Sequence, residues 1–203
     1  MTEKASYPVE FVSPVDDEQR SRGLAALGVL LIKPILLLPH IILLFLYSIA
    51  VVVVVWIGYW YILFTGGKPY WVENIELIFL EWISRSFAWF TGTTDAYPTF
   101  GTDENHPAQV EVVEAPEPQS RVLAFCGIVL IRWLLAVPHF FVLAWLTLGT
   151  IIVAWFGFVW VLVTGSLPLP LHYYFVGFHQ WWARAWAYGA ALTDRYPPFS
   201  LKV

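Results

Sequence analysis

Two long apolar runs organise the chain, and the same residues punctuate both. From Gly23 to Phe64 the only formal charge is Lys33, and from Val122 to Val163 the only one is Arg132. As one continuous helix, either run would be roughly 63 Å long at about 1.5 Å per residue, about twice the ~30 Å hydrocarbon core of a bilayer. Each run must therefore break or lie partly flat. Pro39-His40 and Pro138-His139 mark the expected break, because proline lacks a donor, clashes with the preceding turn and suits the first turn of a new helix. This divides a unit into a helix over about 22–38 and a second over about 40–64, folded as a hairpin. The second helix is roughly 37 Å long, enough to span with some tilt. It ends on Trp56, Tyr59, Trp60 and Tyr61, then Thr65-Gly66-Gly67-Lys68-Pro69; such rings favour the headgroup level, and glycine and proline stop a helix.

The pattern changes over about 70–91. Advancing about 100° per residue places Glu81, Asn74 and Arg85 together, with Glu73 and Glu76 widening the polar face and Trp82, Phe79 and Ile75 elsewhere. The counterpart over 171–191 keeps a weaker stripe of His172, His179, Gln180 and Arg184. Such a helix lies in the interface with its aromatic face in lipid, or stands in a bundle and buries its stripe between protomers. Charge at mid-bilayer costs several kcal/mol, which favours the interface.

A shift of 99 residues aligns 21–100 with 120–199 without a gap, with 27 of the 80 positions identical. The matches are punctuation: Ser21-Arg22 with Ser120-Arg121, Trp56 and Gly58 with Trp155 and Gly157, Thr65-Gly66 with Thr164-Gly165. Trp82 and Arg85 match Trp181 and Arg184, and Thr94-Asp95-x-Tyr97-Pro98-x-Phe100 matches Thr193-Asp194-x-Tyr196-Pro197-x-Phe199. The chain therefore divides into an acidic extramembrane segment (1–20), a membrane repeat (21–100), an acidic proline-containing linker (101–119) and a second repeat (120–203). Val9–Val12 and 109–113 alternate apolar and polar residues; they are either flexible linker or two strands of a small extramembrane sheet.

Composition narrows the class. The chain has 203 residues, 59% hydrophobic and 13% charged, with 12 Trp and a net charge of −4, which excludes a nucleic-acid binder and speaks against a water-soluble enzyme. The expected fold is an all-α integral membrane protein built by tandem duplication, each copy a proline-broken hydrophobic helical hairpin plus an amphipathic helix, with a small β element only if the extramembrane stretches pair rather than form linker. The polar first 20 residues lack the features of a cleavable signal. Cys126, the single cysteine, reads as a small core residue. In the hairpin scheme Arg20, Arg22, Lys68, Arg121 and Arg195 share a side with the termini, and the positive-inside rule assigns that side to the cytoplasm.

W-L-L-A-V-P-H at 133–139, Thr164-Gly165, Arg184 and T-D-R-Y-P-P-F at 193–199 resemble a family of small bacterial membrane domains known as domain of unknown function four-three-eight-nine. The resemblance covers nearly the whole chain in two copies. The first copy departs from it, with Pro34 in place of Trp133 and with Ala96 and Thr99 in the terminal motif. It implies a bacterial membrane topology and assigns no chemistry; with the cytoplasmic side read above, the expected location is the inner membrane.

The first candidate site is intramembrane: Lys33 with His40, seven residues apart, repeated as Arg132 with His139. Ionisable groups in a membrane serve ion or proton paths; alternatively the cation snorkels to the headgroups while the imidazole caps the proline turn. The second is the polar stripe: Glu81 and Arg85 in a favourable i, i+4 order, Arg184 in the second copy, and Asp95 and Asp194 as available partners for the two arginines. With Arg22 and Arg121 these cations also suit an anionic lipid headgroup. His172 and His179 lack a third ligand at suitable spacing, so no metal and no cofactor is expected. The leading functional expectation is a non-enzymatic membrane protein of structural or accessory type, packing with itself as a homo-oligomer or with a larger membrane complex through small residues such as Gly28, Gly58, Gly127 and Gly157. A pseudo-symmetric transporter or channel and a lipid-binding or lipid-handling protein are the alternatives.

Overall fold

The computed structural model describes residues 7–15, 19–112 and 118–202. The parts of the acidic segments at 1–6, 16–18 and 113–117, Val113 of the expected second strand among them, lie outside the described residues. The first half runs β1 (Val9–Val12), α1 (Arg22–Val29), a single helical turn α2 (Lys33–Leu36), α3 (Leu38–Thr65) and α4 (Tyr70–Thr91). The second runs β2 (Gln109–Val112), α5 (Arg121–Ile128), α6 (Ile131–Thr164) and α7 (Leu169–Gly189). The chain is mostly helical, and α3 and α6 are long and apolar enough to cross a membrane.

The repeated punctuation makes the helix ends. Ser21 and Ser120 cap α1 and α5, each hydroxyl accepting from the backbone N–H three residues on. Gly66 and Gly165 end α3 and α6 in the left-handed conformation.

A break at the proline occurs only in the first copy, where α2 ends at Leu36 and α3 opens around Pro39; the break common to both runs comes earlier. It falls at Leu31 (φ 57°) and its repeat equivalent Leu130 (φ 66°). The Leu31 N–H donates to the Gly28 carbonyl and the Ile32 N–H to that of Leu27, the closure that usually places glycine at the left-handed position. Pro39 sits in the first turn of α3, as expected, whereas Pro138 lies inside an unbroken α6. Where proline opens the backbone ladder, the hydroxyls of Tyr97 and Tyr196 donate to the Leu36 and Leu135 carbonyls.

The expected hairpin within each copy is also replaced, because α1 docks on α6 of the other copy and α5 docks on α3. Gly28 lies against the Phe158 ring and Gly127 against the Tyr59 ring, so closely that a Cβ would come within 2.4 and 2.5 Å of ring carbons. Each half therefore completes the other.

β1 and β2 pair antiparallel, which selects the sheet over the flexible linker. The register sets Phe11 opposite Val110; since 110 − 11 = 99, the repeat offset, a pseudo-two-fold axis passes between them. Phe11 and Val110 pack on Leu80 of α4 and on Val176, Ala183 and Ala187 of α7, so the sheet lies across the middle of a central helix pair. The polar stripes of α4 and α7 are accordingly largely enclosed within the chain, with Glu76, Arg85, His172, His179, Gln180 and Arg184 buried and Glu73, Asn74 and Glu81 half-buried. α3 and α6 flank this pair in opposite directions. Lys33, just before α3, reaches the Phe158 ring near the end of α6, while Tyr59, near the end of α3, donates to the Gly189 carbonyl beside the start of α6.

Candidate functional site

Lys33, His40, Arg132 and His139 all point at the central pair. Lys33 is buried, donates to the Trp89 carbonyl at 2.8 Å and has its ammonium 4.6 and 4.4 Å from the Trp89 and Phe158 ring centres. Arg132 uses all three nitrogens: Nε to the Tyr188 carbonyl (2.7 Å), Nη1 to Asp194 (2.8 Å) and Nη2 to the Thr193 carbonyl (2.5 Å). Neither cation snorkels; each ties the start of a long helix to the end of α4 or α7. His40 Nδ1 accepts from Trp82 Nε1 at 2.9 Å, and His139 Nδ1 from Trp181 Nε1 at 3.0 Å. The imidazoles stack on Phe100 and Phe199 at 4.2 and 3.8 Å. An Nδ1 that accepts requires the proton on Nε2, so both rings stand in one neutral tautomer.

The polar stripe divides into two halves. Arg85 holds Glu81 at 2.9 Å and the carbonyls of Gly101, Asp103 and Ala108, anchoring the linker to α4. Arg184 lies 3.9 Å from Glu10 and over the Tyr7 ring, anchoring β1 to α7. The clamp expected between Arg184 and Asp194 is made instead by Arg132, because Asp194 sits beyond the end of α7, level with the start of α6. Asp194 and Asp95 also accept from the backbone N–H groups of Ser120 and Ser21. Arg22 and Arg121 place their guanidinium groups within 4 Å of where a Cβ would stand on Gly165 and Gly66, at the C-terminal ends of the other copy's long helix, where the helix dipole favours a cation. His172 and His179 do not meet: the first lies 3.1 Å from the Ser13 carbonyl, the second 3.0 Å from Thr91 Oγ1. Burial holds His179 neutral, its pKa pushed down to about 3.

One buried pair has no counterpart in the pattern read from the chain. Lys68 Nζ contacts Glu76 and the Ala190 carbonyl, both at 2.5 Å, with both side chains almost wholly enclosed. Burial pushes the Glu76 carboxyl up, against the pull of the Lys68 ammonium. The available signal was the repeat itself: 68 and 76 become Leu167 and Phe175, two charges exchanged together for two apolar groups.

Two apolar cavities adjoin this framework. One, of about 310 Å³, lies between α4 and α7 and is lined by repeat-equivalent pairs: Leu80 with His179, Ile83 with Trp182, Ser84 with Ala183, Phe87 with Trp186. The other, of about 430 Å³, is a groove between α3 and α4, bounded by Pro34, Ile41, Phe45, Ile83, Phe87 and Phe90 among others. Among the described residues no group of three metal-ligating side chains comes together.

The family model for the Domain of unknown function (DUF4389) matches this chain at 29–101 and again at 128–200. The chain belongs to that family, in two tandem copies. The matched segments begin at the last residue of α1 and of α5, so the helices that cross between the copies stand almost entirely outside them. No curated protein and no solved structure matches the chain.

Proposed function

We propose that this is a non-enzymatic membrane protein of structural or accessory type, embedded from one face of the bilayer with its two long helices lying in the membrane rather than across it. One observation carries the reading. The sheet sits on the pseudo-two-fold axis, across the middle of the helices, and the residues around it include Glu10, Asp103, Glu104 and Glu111, of which Glu104 and Glu111 are exposed. Helices set upright would hold those carboxylates at the bilayer centre, at several kcal/mol each. Laid in the plane, with the axis along the membrane normal, they keep the sheet in water.

Two further features agree. α3 and α6 expose apolar side chains around most of their circumference, Val52 and Val163 being 68% and 73% exposed, and such surface is covered by lipid or by a partner. The cations fall at both ends of the long helices, Arg20 and Arg22 at one and Lys68, Arg121 and Arg195 at the other. Upright helices would divide them between the two sides, whereas a one-sided arrangement gathers them in the cytoplasm.

The four buried cations and histidines act here as struts, and the same one-sided geometry opposes the transporter reading. Single cysteines at Ser21 and Ser120, in a chain with Cys126 replaced by Ala, test the arrangement in intact bacterial cells. Both sites are expected to react only with membrane-permeant reagents. Reaction of one site with an impermeant reagent, and not the other, would establish upright inverted repeats and return the transporter to first place.

A further inference from the structure

Resting on the membrane-embedded reading, we propose that the groove between α3 and α4 of the first copy holds one acyl chain of a bilayer lipid. The two copies show what belongs there, because the second copy fills the equivalent place with its own side chains. Trp133, the counterpart of Pro34, lies so close against Gly189 that a Cβ there would come within 2.6 Å of the ring. It stacks on Phe140 at 6.2 Å, and Phe140 meets Trp182 at 5.6 Å.

In the first copy each part of that plug is missing. Pro34 replaces Trp133, Ile41 replaces Phe140 and Ile83 replaces Trp182. What remains is the groove of about 430 Å³, within the range of small-ligand sites. Phe90 stands where the second copy has Gly189 and forms part of the groove's wall.

The lining decides the chemistry of the occupant. Its two hydroxyls already donate within their own helices, Ser48 to the Phe45 carbonyl and Ser86 to that of Trp82, so neither side chain has a free donor for a polar ligand. The groove opens beside Ile41 and Phe45, which are 51% and 66% exposed on the lipid-facing side of α3. A hydrocarbon chain is the apolar group that reaches such a mouth without crossing water. Because lipid tails are as apolar as the lining, selectivity must come from shape, so the site is sensitive to plugging.

The test uses the full-length protein in lipid nanodiscs doped with a phospholipid carrying a photoreactive diazirine on one acyl chain, with crosslinks mapped by mass spectrometry. Groove positions such as Ser48 and Phe87 are expected to label several-fold more than Val52 and Val53 on the outer face. Transplanting the second copy's plug, as P34W/F90G or independently as I41F/I83W, is expected to abolish that excess and leave the outer-face label unchanged. W133A is expected to create a second labelled slot at Phe140 and Trp182, which guards against plugged variants that fail to fold. Groove labelling no stronger than the outer face, or unaltered in both plugged variants, overturns the site alone. Absence of label anywhere on α3 overturns the membrane-embedded reading and the site with it.

Discussion

At the scale of single residues, buried charges hold the ends of helices together, and their cost is offset differently in the two copies. Arg132 finds a carboxylate, two carbonyls and an aromatic face; Lys33 finds one carbonyl and two rings. The Lys68 and Glu76 pair is the most exposed to mutation, because removing one member strands the other without water. We expect E76Q to destabilise the protein by about 3–5 kcal/mol. K68L/E76F, which writes the second copy's solution into the first, should lose less than E76Q does. Denaturant unfolding in mild detergent reads both, and a double variant less stable than E76Q would show that the two sites are not interchangeable. Lys68 stands just before the first residues of α4 and Glu76 lies within that helix, so the two charges are near in sequence; what the chain alone does not show is that the other copy, through the Ala190 carbonyl, closes over them and excludes water.

At the scale of elements, glycines decide which helix packs on which. Gly127 admits the Tyr59 ring and Gly28 the Phe158 ring, and these approaches draw α5 and α1 across to the opposite copy. G127A forces a methyl into the ring and should cost about 1–3 kcal/mol, largely recovered in G127A/Y59L; thermal unfolding in detergent measures both, and no recovery would place the defect elsewhere. The turn that ends α1 is strained, because a left-handed leucine costs about 1–2 kcal/mol, part of which glycine would give back as chain entropy. L31G is therefore expected to raise stability by about 0.5–1 kcal/mol, and a lower melting temperature would contradict it. The break shared by both copies lies eight residues before the proline. Leucine carries no turn signal and proline does, but Pro138 was accommodated within a helix while Leu130 was driven into the left-handed region by the docking of α5.

At the scale of the whole molecule, the two copies are one folding unit, because each supplies a strand and a short helix that the other buries. A chain cut after Val112 should yield two fragments that aggregate when expressed alone and copurify when expressed together. A first fragment that is monomeric, helical and cooperatively unfolding by itself would refute this interdependence. The pseudo-two-fold axis through Phe11 and Val110 then fixes what surface remains: a polar, acidic sheet on one face and two long apolar helices flanking the central pair.

The duplication, the apolar character of both runs, the glycine ends at 66 and 165, and the limits of α4 and α7 to within two residues were all determined by the chain alone. Each depends on neighbours a few residues apart, or on one copy's likeness to the other. The exchange of short helices, the pairing of Arg132 with Asp194, the ion pair at 68 and 76 and the open groove at Pro34 were decided only in three dimensions. The exchange depends on which ring meets which glycine across the axis, Arg132 and Asp194 lie 62 positions apart, and the pair at 68 and 76, though only eight apart, is enclosed with the Ala190 carbonyl of the other copy, a contact that no local pattern encodes.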